Sequence, residues 1–139
     1  MRTHNLFISH SWAYGDAYGK LVSKLDKADR FSYRNYSVPK DSPIHNAETD
    51  RELLAAIKER MQFCDVVLIL AGVYSTYSKW IKKEIQLANS GFANPKPIIA
   101  IQPWDSERTS QTVKDSAAKI VGWNTGPIVG AIRELNPYD

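Results

Sequence analysis

The sequence predicts an α/β domain built on one parallel sheet, and three observations carry that expectation. Five short apolar runs alternate with helical patterns along the chain. One of them, Val66-Val67-Leu68-Ile69-Leu70-Ala71, is apolar throughout, as a strand covered on both faces must be. The third is a helix pattern after that run whose apolar stripe contains a carboxylate, Glu84.

Taken in order, Leu6 to Ser9 is the first strand. Asp16 to Arg30 follows as a helix, with Tyr18, Leu21, Val22, Leu25 and Ala28 on one face. Phe31 to Val38 is aromatic-rich and irregular, which suits an edge strand that Pro39 ends. Thr49-Asp50-Arg51-Glu52 has the form of a capping box and opens a helix with Leu53, Leu54, Ile57 and Met61 inward. The central apolar run is strand 3, and the Glu84 helix starts near Ser78. Pro97 to Ile101 is strand 4, Ser110 to Ala118 a weak helix, and Ile120 to Trp123 a short strand 5. Gly126-Pro127 begins the last helix, Pro127 lying in the first turn, where a missing N–H does no harm.

Strands alternating with helices imply right-handed crossovers and a parallel sheet. Five strands in 139 residues give a flavodoxin-like three-layer sandwich of order 2-1-3-4-5, a single domain over residues 1–139. Ligands of such sheets bind beyond the carboxyl ends of the strands, where the order reverses between strands 1 and 3. The loops there are Ser9-His10-Ser11-Trp12 and Gly72-Val73-Tyr74-Ser75.

Glu84 lies about two turns into the helix that leaves strand 3. At about 100° per residue, Lys82, Lys83 and Gln86 fall on one side of this helix. Leu87, Trp80, Glu84, Ala88, Ile81 and Ile85 fall on the other. An unpaired buried carboxylate costs several kcal/mol, so a chain keeps one for packing specificity or for chemistry.

Composition narrows the function classes. At 43% hydrophobic and 24% charged, this is an ordinary globular chain. The net charge of +3, with bases and acids interleaved, does not describe a nucleic-acid binder. Cys64 is the single cysteine, which excludes an intrachain disulfide and suits a reducing compartment. With no signal-peptide pattern and no apolar run of membrane-spanning length, a cytoplasmic protein off the membrane is expected. His4, His10 and His45 lack metal-ligand spacing, so no metal is expected.

Three segments, in order and on the right elements, carry a family resemblance. Phe7-Ile8-Ser9-His10-Ser11 resembles the opening signature of TIR and TIR-like domains. Ser78-Lys79-Trp80-Ile81-Lys82-Lys83-Glu84-Ile85 resembles the TIR helix bearing the catalytic glutamate of NAD-cleaving members. Tyr33-Arg34-Asn35-Tyr36-Ser37-Val38-Pro39 is similar to the TIR-like family of the Thoeris anti-phage system. The chain departs from ordinary TIR domains after strand 2, where Val38-Pro39-Lys40-Asp41 lacks the usual Pro-Gly. That departure bears on whether it assembles through standard TIR–TIR contacts.

The resemblance implies cleavage of the nicotinamide–ribose bond of NAD+ as substrate, with no further cofactor. It also implies a cyclic ADP-ribose-type product, an effector protein that responds to it, and possible self-association. Glu84 matches the family glutamate. Phe7, Ser9, His10 and Trp12 match the nucleotide-lining end of strand 1. Ser11, Tyr74, Ser75 and Trp80 complete the expected nucleotide contacts by position.

The chemistry suits these residue types. Nicotinamide already leaves as a good leaving group, and the transition state resembles an oxocarbenium ion. A carboxylate in a low-dielectric crevice stabilises that developing charge. Trp80, Phe7 and Trp12 offer faces for stacking a base.

The competing class is a non-catalytic TIR-like adaptor that acts by protein–protein contact and keeps Glu84 for structure. A phosphorylated receiver of the same fold is excluded. It needs an Asp at the end of strand 3, where Ala71-Gly72 stands, and acids after strand 1. A flavodoxin needs a phosphate-cradling loop, and Ser9-His10-Ser11-Trp12 has no glycine. No Ser-His-acid order or nucleophile elbow appears.

Overall fold

The five strands form one parallel sheet in the order β2-β1-β3-β4-β5, the order expected from the sequence. The computed structural model describes residues 3–9, 17–36, 50–70, 79–102 and 111–136. The elements are β1 (Thr3–Ile8), α1 (Ala17–Asp26), β2 (Ser32–Asn35), α2 (Asp50–Met61), β3 (Val66–Leu70), α3 (Lys79–Ser90), β4 (Ile98–Gln102), α4 (Gln111–Ser116), β5 (Lys119–Gly122) and α5 (Thr125–Leu135).

Strand alternation divides the core into two layers. Leu6 and Ile8 of β1 join Val66, Leu68, Ile99 and Ile101 beneath α1 and α5, where Leu21, Leu25, Ile128 and Ile132 meet them. Phe7 points the other way, with Val67, Ile69, Ile98 and Ala100, against Ile57 and Met61 of α2, Ile85 and Ala88 of α3 and Val113 of α4. The architecture is therefore a helix–sheet–helix sandwich. β3 reads as unbroken apolar sequence because it contributes to both layers.

Strands 4 and 5 and the helix between them shift by one or two residues, and three boundaries nearer the amino terminus also differ from the sequence expectation. β1 starts at Thr3 because its polar first residues pair in register with β2, Thr3 opposite Ser32 and His4 opposite Tyr33. β2 is confined to the four residues Ser32–Asn35. α1 ends at Asp26, and the chain turns at Arg30, which adopts a left-handed φ of 51°. Such a conformation costs a non-glycine residue roughly 1–2 kcal/mol. The Arg133 guanidinium helps hold the turn by donating to the Arg30 carbonyl at 2.7 Å.

A polar clasp ties the amino-terminal edge of the sheet to the end of α5. His4 stacks on Phe31 at 5.4 Å, and its Nδ1 lies 2.8 Å from the Asn136 amide nitrogen. Asp65 accepts from the Asn5 backbone N–H at 3.1 Å and from the Asn136 amide at 3.4 Å. All three side chains of the clasp, His4, Asp65 and Asn136, are buried, and their mutual bonding offsets the desolvation each incurs.

Cys64, next to this clasp, is buried at the end of the α2 turn. Burial pushes its thiol up from an ordinary value of 9.0 to about 12, partly opposed by the nearby Lys96 ammonium. Two results are expected. A thiol reagent at neutral pH should label Cys64 only when the fold opens, since the thiolate is the reactive form. Above about pH 9 the unfolded thiol ionises while the folded one keeps its proton. The unfolded state then binds fewer protons, and stability should fall by up to about 1.4 kcal/mol per pH unit until roughly pH 12. Alkaline melts of the parent and Cys64→Ala would measure this, and equal slopes would contradict it.

Candidate functional site

Ser9 leaves the end of β1 on the same face as Phe7, and α3 crosses that face. On α3, Lys82 and Gln86 are exposed while Glu84, Ile85 and Ala88 are buried, so the helix presents the stripe its periodicity predicts. Three or four residues separate neighbours on one side of a helix, and Glu84 thus falls one turn before Leu87 and Ala88, in the first half of α3, the half nearer the carboxyl edge of the sheet.

There the two polar residues meet. The Ser9 hydroxyl donates to Glu84 Oε1 at 3.1 Å. Ser9 is 1% exposed and Glu84 0%, so this bond forms in a low-dielectric setting. A hydrogen bond to a charged acceptor is stronger than a neutral one and offsets part of the cost of burying the carboxylate. The Ser9 backbone is itself fixed, its N–H donating to the Leu68 carbonyl at 2.9 Å. β1, β3 and α3 therefore converge on one carboxylate at the point where the strand order reverses.

Phe7, expected along a nucleotide pocket, is 0% exposed and packs with Ile57, Met61, Val67, Ile69 and Ile85. The alternation that delivers Ser9 to Glu84 also delivers Phe7 to the interior of this layer. Trp80 lies on α3, but its side chain is outside what is described. His10, Ser11, Trp12, Tyr74 and Ser75 also lie outside the described residues.

The sequence places both Ser9 and Glu84 at the switch point but does not pair them. The available signal is alternation: Ser9 shares a face with Phe7, and that is the face α3 covers. Among the described residues, no group of three or more His, Cys, Asp or Glu side chains is arranged to hold a metal. None of the described helices is long and apolar enough to cross a membrane.

No curated protein matches the chain. Among solved structures, the chain is similar to one described as the crystal structure of a prokaryotic SEFIR domain, at 16% identity and a TM-score of 0.45 over 96% of each chain. The model of the family described as "Thoeris protein ThsB, TIR-like domain" matches residues 7–108. That span runs from β1 through β4 and includes Ser9 and Glu84, and the chain belongs to this family.

Proposed function

We propose that this domain cleaves NAD+ at the nicotinamide–ribose bond, with Glu84 as the catalytic carboxylate. The observation that carries the reading is the buried Ser9–Glu84 hydrogen bond at the carboxyl end of β1. A carboxylate kept in an apolar layer and oriented by a fixed hydroxyl is preorganised to stabilise positive charge.

Nicotinamide departs as a neutral base and leaves oxocarbenium character on the ribose. Glu84 faces that charge and accepts from the ribose hydroxyls. Ser9 acts through Glu84 as a positioning residue. Water capturing the ribosyl cation gives ADP-ribose, whereas a nucleophilic adenine atom gives a cyclic product. A cyclic ADP-ribose-type signal read by a separate effector protein fits membership in a Thoeris family.

Mass spectrometry of NAD+ incubated with the protein, with and without phage lysate, tests the activity. Release of nicotinamide with ADP-ribose or a cyclic isomer is expected. Intact NAD+ under both conditions would favour the adaptor reading.

The positioning role has its own test. Ser9→Ala removes one hydrogen bond to a buried charge, worth about 1.5–3 kcal/mol. Turnover is expected to fall about 10- to 100-fold with KM close to that of the parent. A raised KM with unchanged kcat would instead make Ser9 a simple substrate contact.

A further inference from the structure

The outward face of α2 has two unlike edges. At about 100° per residue, Ala55 marks its centre and Gln62 continues that line. Arg51 and Lys58 run along one edge, and Glu52 and Glu59 along the other. All six residues are exposed. Like charges recur seven residues apart, the spacing of a seam between helices. Neither Lys58 nor Glu59 has an opposite charge three or four positions away on α2, where a pair within one helix would sit.

The face also has relief. On the acidic side, Phe63 is 56% exposed and its ring lies 5.7 Å from that of Tyr36. Along the middle of the face, Ala55, Lys58, Glu59 and Gln62 line an open groove of about 320 Å³ bounded by Phe92, and a second hollow of about 270 Å³ on the acidic side is lined by Tyr36, Glu59 and Phe63. Charge is what tells the two edges apart.

We propose that this face binds the same face of a second copy of the chain, the two α2 helices lying parallel across a two-fold axis. In that arrangement each acidic edge meets the second copy's basic edge at the same height. Glu59 approaches the second copy's Lys58, and Glu52 approaches its Arg51. An antiparallel arrangement sets acid against acid and base against base. The charge pattern therefore chooses the orientation as well as the partner, an isologous contact. Exposed charge pairs contribute little individually, so the product is a weak dimer that salt dissociates.

Sedimentation velocity over a concentration series tests the proposal. The parent should dimerise, with a Kd that rises with added NaCl. Glu59→Lys makes one turn of the face wholly basic, and Lys58→Glu makes it wholly acidic. Each should raise the Kd at least about tenfold, and an equimolar mixture of the two should recover dimer. Thermal melts confirm that both variants are folded.

Orientation is read with Gln62→Cys under mild oxidation. Parallel helices bring the two introduced thiols together and give a disulfide-linked dimer. Antiparallel helices centred on Ala55 would hold them roughly 20 Å apart. A monomeric parent at all concentrations, a mixture that stays monomeric, or a dimeric Gln62→Cys protein that forms no cross-link between its introduced thiols would each overturn the proposal.

Discussion

On the proposed NAD+-cleaving function, replacing Glu84 with Gln is expected to lower turnover about 10²- to 10³-fold, the loss typical of removing one preorganised electrostatic group. The melting temperature should stay level or rise. Gln keeps the size of the side chain and an amide oxygen in place of Oε1, so the Ser9 hydroxyl retains its acceptor at the 3.1 Å contact. What disappears is a charge in a residue that is 0% exposed. If that charge is kept for chemistry, its burial is a stability cost held for function, and removing it costs the fold nothing. If the charge instead balances a buried cation, Gln leaves that cation uncompensated and destabilises by about 3–5 kcal/mol. NAD+ consumption and thermal melts of both proteins, run side by side under activating conditions, separate these cases. A stable variant with full activity would end the catalytic assignment, and a badly destabilised one would favour the structural role.

The contrast between those two outcomes follows from what the sequence does and does not encode locally. Periodicity is enough to place Glu84 on the covered face of α3, because Lys82 and Gln86 can only be on the other. The continuous apolar run of β3 is enough to make it central, and with it the order of the sheet. The partner of the carboxylate is harder to read. Ser9 is 75 positions away, and the bond depends on the register of β1 against β3, with Leu6 opposite Val66 and Ile8 opposite Leu68.

Non-local bonding explains the other surprises too. His4 looks like an exposed polar residue before an apolar strand, yet it is buried. Its partner Asn136 lies 132 positions further on, beyond the reach of any local pattern. Phe31 reads as part of strand 2, but it lies just outside β2 and stacks on His4. Aromatic character there signals partial burial correctly and strand pairing incorrectly. Phe7 poses the same question at the site, because an aromatic at a strand end serves packing and ligand stacking equally well in sequence terms.

Phe7→Ala is expected to destabilise the fold by about 3–5 kcal/mol, the usual loss for a fully buried phenylalanine. Phe7 is 0% exposed and belongs to the core cluster that β1 shares with Ile57 and Met61 of α2 and Ile85 of α3. α3 carries Glu84, so the cavity left by the ring should also loosen the seat of the carboxylate, and residual activity should fall with stability. Phe7→Leu separates packing from ligand contact. Leu fills most of the same volume and should cost no more than about 1.5 kcal/mol, but it has no aromatic face. With Phe7 acting through packing, the Leu variant keeps nearly parental KM for NAD+ and most of its turnover. With Phe7 stacking on the nucleotide, the Leu variant loses about 1–3 kcal/mol of binding while melting close to the parent. Chemical denaturation of the three proteins, set beside their KM values for NAD+, decides between them. A small stability loss in Phe7→Ala with a large rise in KM would place the ring in the nucleotide site, and a large stability loss with KM held in Phe7→Leu would place it in the core that positions Glu84.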